Sequence, residues 1–152
     1  MTLRVLAPVA GTVLDLTEVP DPVFSGAIVG PGVAVDPGDA ETAEAVAPVA
    51  GTIMKIHPHA FVIVTEAGRG VLVHLGLDTV QLGGEGFTLH AAEKDVVEQG
   101  QVLVTWSPAA VRAGGRSAVT PVIALEGKAD QLTTTATAGH TVSPGDELFA
   151  WS

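Results

Sequence analysis

Two histidines stand out where reactive side chains are otherwise sparse. His74 interrupts the apolar run Val71-Leu72-Val73 and Leu75, and His59 ends the tripeptide His57-Pro58-His59 just before the apolar stretch that begins near Phe61. Imidazole is the side chain whose charge changes nearest neutral pH, so it can serve as nucleophile, general acid or base, or metal ligand. A histidine inside a β-run is more often a core residue bonded to backbone. Two neighbours of His74 favour chemistry. Asp78 follows beyond Gly76, where a turn could return a carboxylate to the imidazole and hold one tautomer. Gly76 itself leaves the ring without a bulky neighbour, open to something large.

The elements that must position these groups are short strands. The chain has 152 residues, 47% of them hydrophobic, enough for one domain with a core, expected to span residues 1–152. Its 18 glycines and 10 prolines are spread throughout and separate runs rich in Val, Ile, Leu and Thr, which predicts an all-β chain of tight turns. Strands are expected at Gly11 to Leu16, Thr52 to Ile56, Phe61 to Thr65, Val71 to Leu75, Gly86 to Ala91, Val102 to Thr105, Val119 to Leu125 and Glu147 to Trp151. One helical turn is expected from Ser107, with Pro108 at its first position and Gly114 as its stop.

Two internal echoes refine this picture. The hexapeptide APVAGT occurs at Ala7 to Thr12 and again at Ala47 to Thr52, and Val97, Gly100, Leu103 and Trp106 recur at identical spacing as Val142, Gly145, Leu148 and Trp151. They predict a duplicated β-motif folded face to face, an antiparallel sandwich or flattened barrel. Each APVAGT copy is expected to open a strand.

Composition removes several classes of function. Seventeen acidic against seven basic residues leave a net charge of −10, so there is no basic surface to neutralise nucleic acid. The absence of cysteine excludes disulfides, thiol catalysis and thiolate metal sites. No signal-like segment and no run of about 18 apolar residues is present, so a cytoplasmic protein without membrane insertion is expected.

At the level of motifs the chain resembles the glucose-family enzyme IIA domain of the bacterial phosphoenolpyruvate-dependent sugar phosphotransferase system. The marks are APVxGTI, HAF (His59 to Phe61), VHLGLDTV (Val73 to Val80), LGGEGF (Leu82 to Phe87) and TPV (Thr120 to Val122), with VPDPVFSG (Val19 to Gly26) and VGPGVAVDP (Val29 to Pro37) upstream. They cover essentially the whole chain in order. The chain starts almost at the first motif, so the N-terminal extension of some members is not expected.

The resemblance implies a role for each matching residue. His74 matches the histidine whose Nε2 accepts a phosphoryl group from the phosphohistidine of HPr and passes it to a cysteine of the IIB domain of a sugar-specific IIBC permease. His59 matches the histidine that supports the phosphoryl group and its onward transfer. Asp21 and Asp78 match rim carboxylates that meet basic residues of the partner, and Phe24 and Phe87 match apolar residues around the site. No cofactor is implied and no metal is required, although His59 and His74 could bind zinc opportunistically. Some members also bind other proteins when unphosphorylated. One departure is visible: the family often carries a threonine two residues before the second histidine; His57 stands near there and could substitute for the missing hydroxyl or face solvent, the latter being expected.

Two rival readings share parts of these motifs. His57-x-His59 and His74-x-x-x-Asp78 resemble the zinc ligands of lysostaphin-like peptidases, but those enzymes place HxxxD before HxH. A biotinyl or lipoyl carrier would need a lysine in a hairpin beyond a GxxL strand, whereas Lys55 directly follows the Gly-Thr turn and reads as an exposed strand residue. Trp106 and Trp151 are expected to cover core edges, His90 and His140 to lie at the surface, and the glycines of LGGEGF to serve turns.

Overall fold

The computed structural model describes residues 2–152. Its first strands are β1 (Leu3–Leu6), β2 (Gly11–Asp15) and β3 (Gly32–Asp36). A central block follows: β4 (Ala43–Val46), β5 (Gly51–His57), β6 (Ala60–Val64), β7 (Gly70–His74), β8 (Phe87–Leu89), β9 (Val96–Val97) and β10 (Val102–Trp106). The remainder comprises β11 (Thr120–Ala124), β12 (Leu132–Thr134), β13 (Thr141–Val142) and β14 (Glu147–Trp151).

The two APVAGT copies meet each other. Leu6 donates its N–H to the Pro48 carbonyl at 3.0 Å, and Val46 donates to the Pro8 carbonyl at 2.9 Å. This exchange is what a two-fold relation between the copies requires. Each copy also opens a strand, β2 at Gly11 and β5 at Gly51. A Cβ on Gly11 would lie 2.1 Å from the Asp36 carbonyl oxygen, and one on Gly51 would lie 2.3 Å from that of Val64, so both glycines are needed for close approach of backbone.

Pairing extends the symmetry through the chain. An eight-stranded antiparallel sheet runs β13-β2-β3-β11-β7-β6-β5-β9, flanked by β1-β14-β12 and β4-β10-β8. Val142 faces Gly11 as Val97 faces Gly51. Trp151 lies between Leu3 and Leu132 as Trp106 lies between Ala43 and Phe87. The axis passes near the Val73–Val122 pair, where β7 meets β11.

The main core includes Phe61, Ile63, Val71, Val73, Trp106 and Phe149. Each such buried side chain contributes on the order of 1.5–3 kcal/mol. Because side chains alternate along a strand, Leu72 and His74 point to the opposite face of the long sheet from Val71 and Val73. On that face a smaller cluster, Leu16, Val19, Phe24, Ala34, Leu77 and Ile123, packs beneath the β2–β3 connection. A fold with one buried and one partly covered sheet face thus puts His74 at a boundary between core and solvent.

One expectation narrows and one changes. The long sheet stays open, with the two-residue strands β13 and β9 at its edges, so the architecture is a sandwich rather than a flattened barrel. Edges this short offer little ladder to another chain. A second helical turn, α1 (Pro22–Ser25), precedes the expected one, α2 (Pro108–Ala113). The latter is capped as anticipated: the Ser107 hydroxyl accepts from the Ala110 N–H at 3.1 Å, and Gly114 ends it.

Candidate functional site

Three neighbouring strands place the histidines. Register pairs His57 of β5 with Ala60 of β6, and Ala60 with His74 of β7, so the three residues form a row across one face of the sheet. Interstrand spacing then puts His57 and His74 about 10 Å apart. The gap is filled by His59, which sits with Pro58 in the tight turn between β5 and β6. Its ring centroid lies 5.2 Å from that of His74, edge-on, and 5.7 Å from that of His57, stacked with an interplanar angle of 20°. His57 is exposed, as expected, but it is also in contact with the site.

Backbone geometry fixes the His74 ring. Its Nδ1 lies 2.5 Å from the Gly76 carbonyl oxygen, which can only accept, so Nδ1 carries the proton and Nε2 keeps a lone pair. The tautomer is therefore held by a carbonyl within the same turn and not by Asp78, the group the sequence pointed to. Asp78 is exposed and adopts a left-handed conformation, φ 58°. The turn behind it is tightly built. Leu75 donates to the His59 carbonyl at 2.7 Å, tying β7 to the β5–β6 turn, and the buried Thr79 hydroxyl donates to the Leu75 carbonyl at 2.8 Å.

The other half of the duplicated fold closes the site. Phe24 of α1 is buried, and its ring centroid lies 5.4 Å from that of His74. Asp21 caps α1, accepting from the Val23 N–H at 3.0 Å with Pro22 at the first helical position. This Asp-Pro pair is the signal in the sequence that marks α1. Val23 on α1 and Val80 on the 3-10 turn Thr79–Leu82 remain exposed, so both flanking elements present apolar side chains to solvent. Gly84 of the LGGEGF segment lies against Pro58. Phe87 stacks its ring on Trp106, 5.8 Å away and 8° from parallel, and packs against the main core.

Burial lowers the pKa of His74, opposed by its bond to Gly76 and by the negative charges of Asp21 and Asp78. Both carboxylates are therefore close enough to act on the ring. His59 is lowered to about 4, by burial first and then by the charges of His74 and His57. Near neutral pH the site thus offers two uncharged imidazoles beneath two carboxylates. Such an arrangement can attack an electrophile with the His74 Nε2 lone pair and does not repel an incoming cationic partner.

Among the described residues, no group of three or more His, Cys, Asp or Glu side chains is arranged to hold a metal ion. The HxH and HxxxD elements come close to each other but do not form the three-ligand set that a peptidase site would need. One cleft of about 660 Å³ has no histidine in its lining; Ile28, Met54, Arg69 and Trp151 are among the residues that line it. Lys55, His90 and His140 are exposed, and Trp106 and Trp151 are buried at matching places in the two halves. No helix among the described residues is long and apolar enough to cross a membrane.

Comparison with known proteins identifies the family and the fold. Residues 3–130 match the family described as phosphoenolpyruvate-dependent sugar phosphotransferase system, EIIA 1. The fold is similar to that of the glucose permease IIA from Mycoplasma capricolum, with a TM-score of 0.86 and 34% sequence identity over 99% of this chain and 96% of that one. The chain belongs to the glucose-type enzyme IIA family of the phosphoenolpyruvate-dependent sugar phosphotransferase system, a family of phosphocarrier proteins.

Proposed function

We propose that this protein accepts a phosphoryl group from the phosphohistidine of HPr on Nε2 of His74 and delivers it to a cysteine of a sugar-specific IIB domain. Its expected place of work is the cytoplasm. The observation that carries the reading is the His74–Gly76 bond, which leaves Nε2 unprotonated beside His59 and Phe24.

The chemistry follows from that tautomer. The Nε2 lone pair attacks phosphorus, a new N–P bond forms, and the donor imidazole leaves with the electrons of the N–P bond that breaks. In the second step the thiolate of the acceptor cysteine attacks phosphorus, and His74 departs with its Nε2 lone pair restored. No proton has to leave Nδ1 in either step. The Gly76 carbonyl therefore holds the ring in one state throughout the cycle. His59 stands beside the ring to support the phosphoryl oxygens, Phe24 limits water, and Asp21 and Asp78 provide anionic anchors for a basic partner.

The test is incubation with phosphoenolpyruvate, enzyme I and HPr. One acid-labile phosphoryl group is expected on the protein, lost in His74→Gln. Undiminished labelling of that variant would overturn the assignment. His59→Gln is expected to accept the group still but to pass it on poorly.

A further inference from the structure

His59 has an unusual task for a turn residue. Among the described residues, no hydrogen bond reaches either of its ring nitrogens, so backbone fixes its Cα while only ring contacts orient its imidazole. One contact is the edge of His74, which must itself be free to carry a phosphoryl group. The other is His57, nearly parallel to it, on the strand flank where β5 enters the turn. Pairing across the turn with Ala60 sends the His57 side chain to the face that bears His74, and the small Ala60 side chain leaves room for the His59 ring between them.

We infer that His57 is a positioning residue, which holds the His59 imidazole between itself and His74 in the orientation needed to support phosphoryl transfer. The chemistry of this inference rests on the phosphocarrier reading; its geometry does not. Aromatic pairs of this separation and tilt prefer offset stacking, and an edge contact on the opposite side completes a three-ring row. The positive charge of a protonated His57 also disfavours protonation of His59, which keeps the supporting ring neutral. Alanine at this position would leave His59 anchored on one side only.

His57→Ala and His57→Phe separate ring packing from other roles of the imidazole. NMR spectra of the histidine rings in unphosphorylated protein report the tautomer and order of His59, and single-turnover transfer from phosphorylated protein to a IIB domain reports the onward step. In His57→Ala, averaged or duplicated His59 ring signals are expected. The transfer rate is expected to fall about fivefold, equivalent to about 1 kcal/mol, with the apparent affinity for the acceptor unchanged and uptake onto His74 retained. His57→Phe restores both readouts. Wild-type ring signals and transfer in the alanine variant would overturn the inference, as would a phenylalanine variant no better than alanine. If wild-type protein takes up no phosphoryl group, the phosphocarrier reading fails, while the ring signals still decide whether His57 positions His59.

Discussion

Replacing Gly76 by alanine tests the claim that one turn fixes the reactive tautomer. Gly76 has φ 79°, and a Cβ there would lie 2.7 Å from Cγ2 of Thr79 and 2.8 Å from the Ser117 carbonyl oxygen. Neither neighbour can easily yield. Thr79 is fully buried, with its hydroxyl committed to the Leu75 carbonyl, and the Ser117 carbonyl accepts from Leu77 at 2.9 Å. The left-handed backbone alone costs a non-glycine residue roughly 1–2 kcal/mol. Overpacking adds about 1–3 kcal/mol, for a total of about 2–5 kcal/mol. Gly68→Ala is the control, since Gly68 has φ 89° with nothing within 4 Å of its Cβ position, and should show the backbone cost alone. Urea denaturation measures the difference between the variants. Displacing the Gly76 carbonyl should also release the His74 Nδ1 proton, so ring NMR should reveal the second tautomer and phosphoryl uptake should slow severalfold. Equal destabilisation in the two variants, or an unaltered His74 ring signal in Gly76→Ala, would refute the argument.

Two other predictions concern the site's environment. The folded-state pKa values of His59 and His74 lie below their unfolded values, so the unfolded chain takes up protons first as pH falls. Their contribution to stability is full above about pH 6.5 and is lost toward pH 4, where His59 titrates. Urea midpoints should fall between pH 7 and pH 5, less steeply in His59→Gln; identical slopes would contradict the assignment. Phe24→Ala removes a buried ring from the smaller cluster and from the face of His74, and should cost about 3 kcal/mol. The same variant should hydrolyse its phosphohistidine several times faster, measured as phosphate release, and an unchanged lifetime would argue that Phe24 does not restrict water.

Where the sequence was legible, a strand had one clear periodic face or an internal echo to identify it. β5, β6, β7, β10 and β14 fall within a residue or two of expectation. β3 was hidden because Val33, Ala34 and Val35 are all buried, leaving no alternation, and the alternating Ala-Glu-Ala-Val of β4 is poor in the β-branched residues that mark strands. The four-residue α1 is too short for a helical period, although Asp21-Pro22 marks its start. His74 and His59 could be singled out from their local context and motifs. The place of His57 depended on the register of β5, β6 and β7, which local sequence does not specify. The sequence points to Asp78 as the tautomer holder because a carboxylate is visible in it, whereas the competing Gly76 carbonyl is not. Phe87 lies in the β8–β10 pairing, where Trp106 takes its ring.

The interleaving of the two halves has a consequence for folding kinetics. The segment 43–106 contains β4 through β10 and both site histidines, and all the pairings within its half are made inside that segment. The other half must join β1, β2 and β3 to strands beyond residue 119, closing a far longer loop. Such non-local pairing is slow, so the histidine-bearing half should gain protection from amide exchange first. Yet Phe24 and Asp21 belong to the late half. A nascent chain would then possess its nucleophile before its water-excluding wall, and would become a competent carrier only when folding is complete.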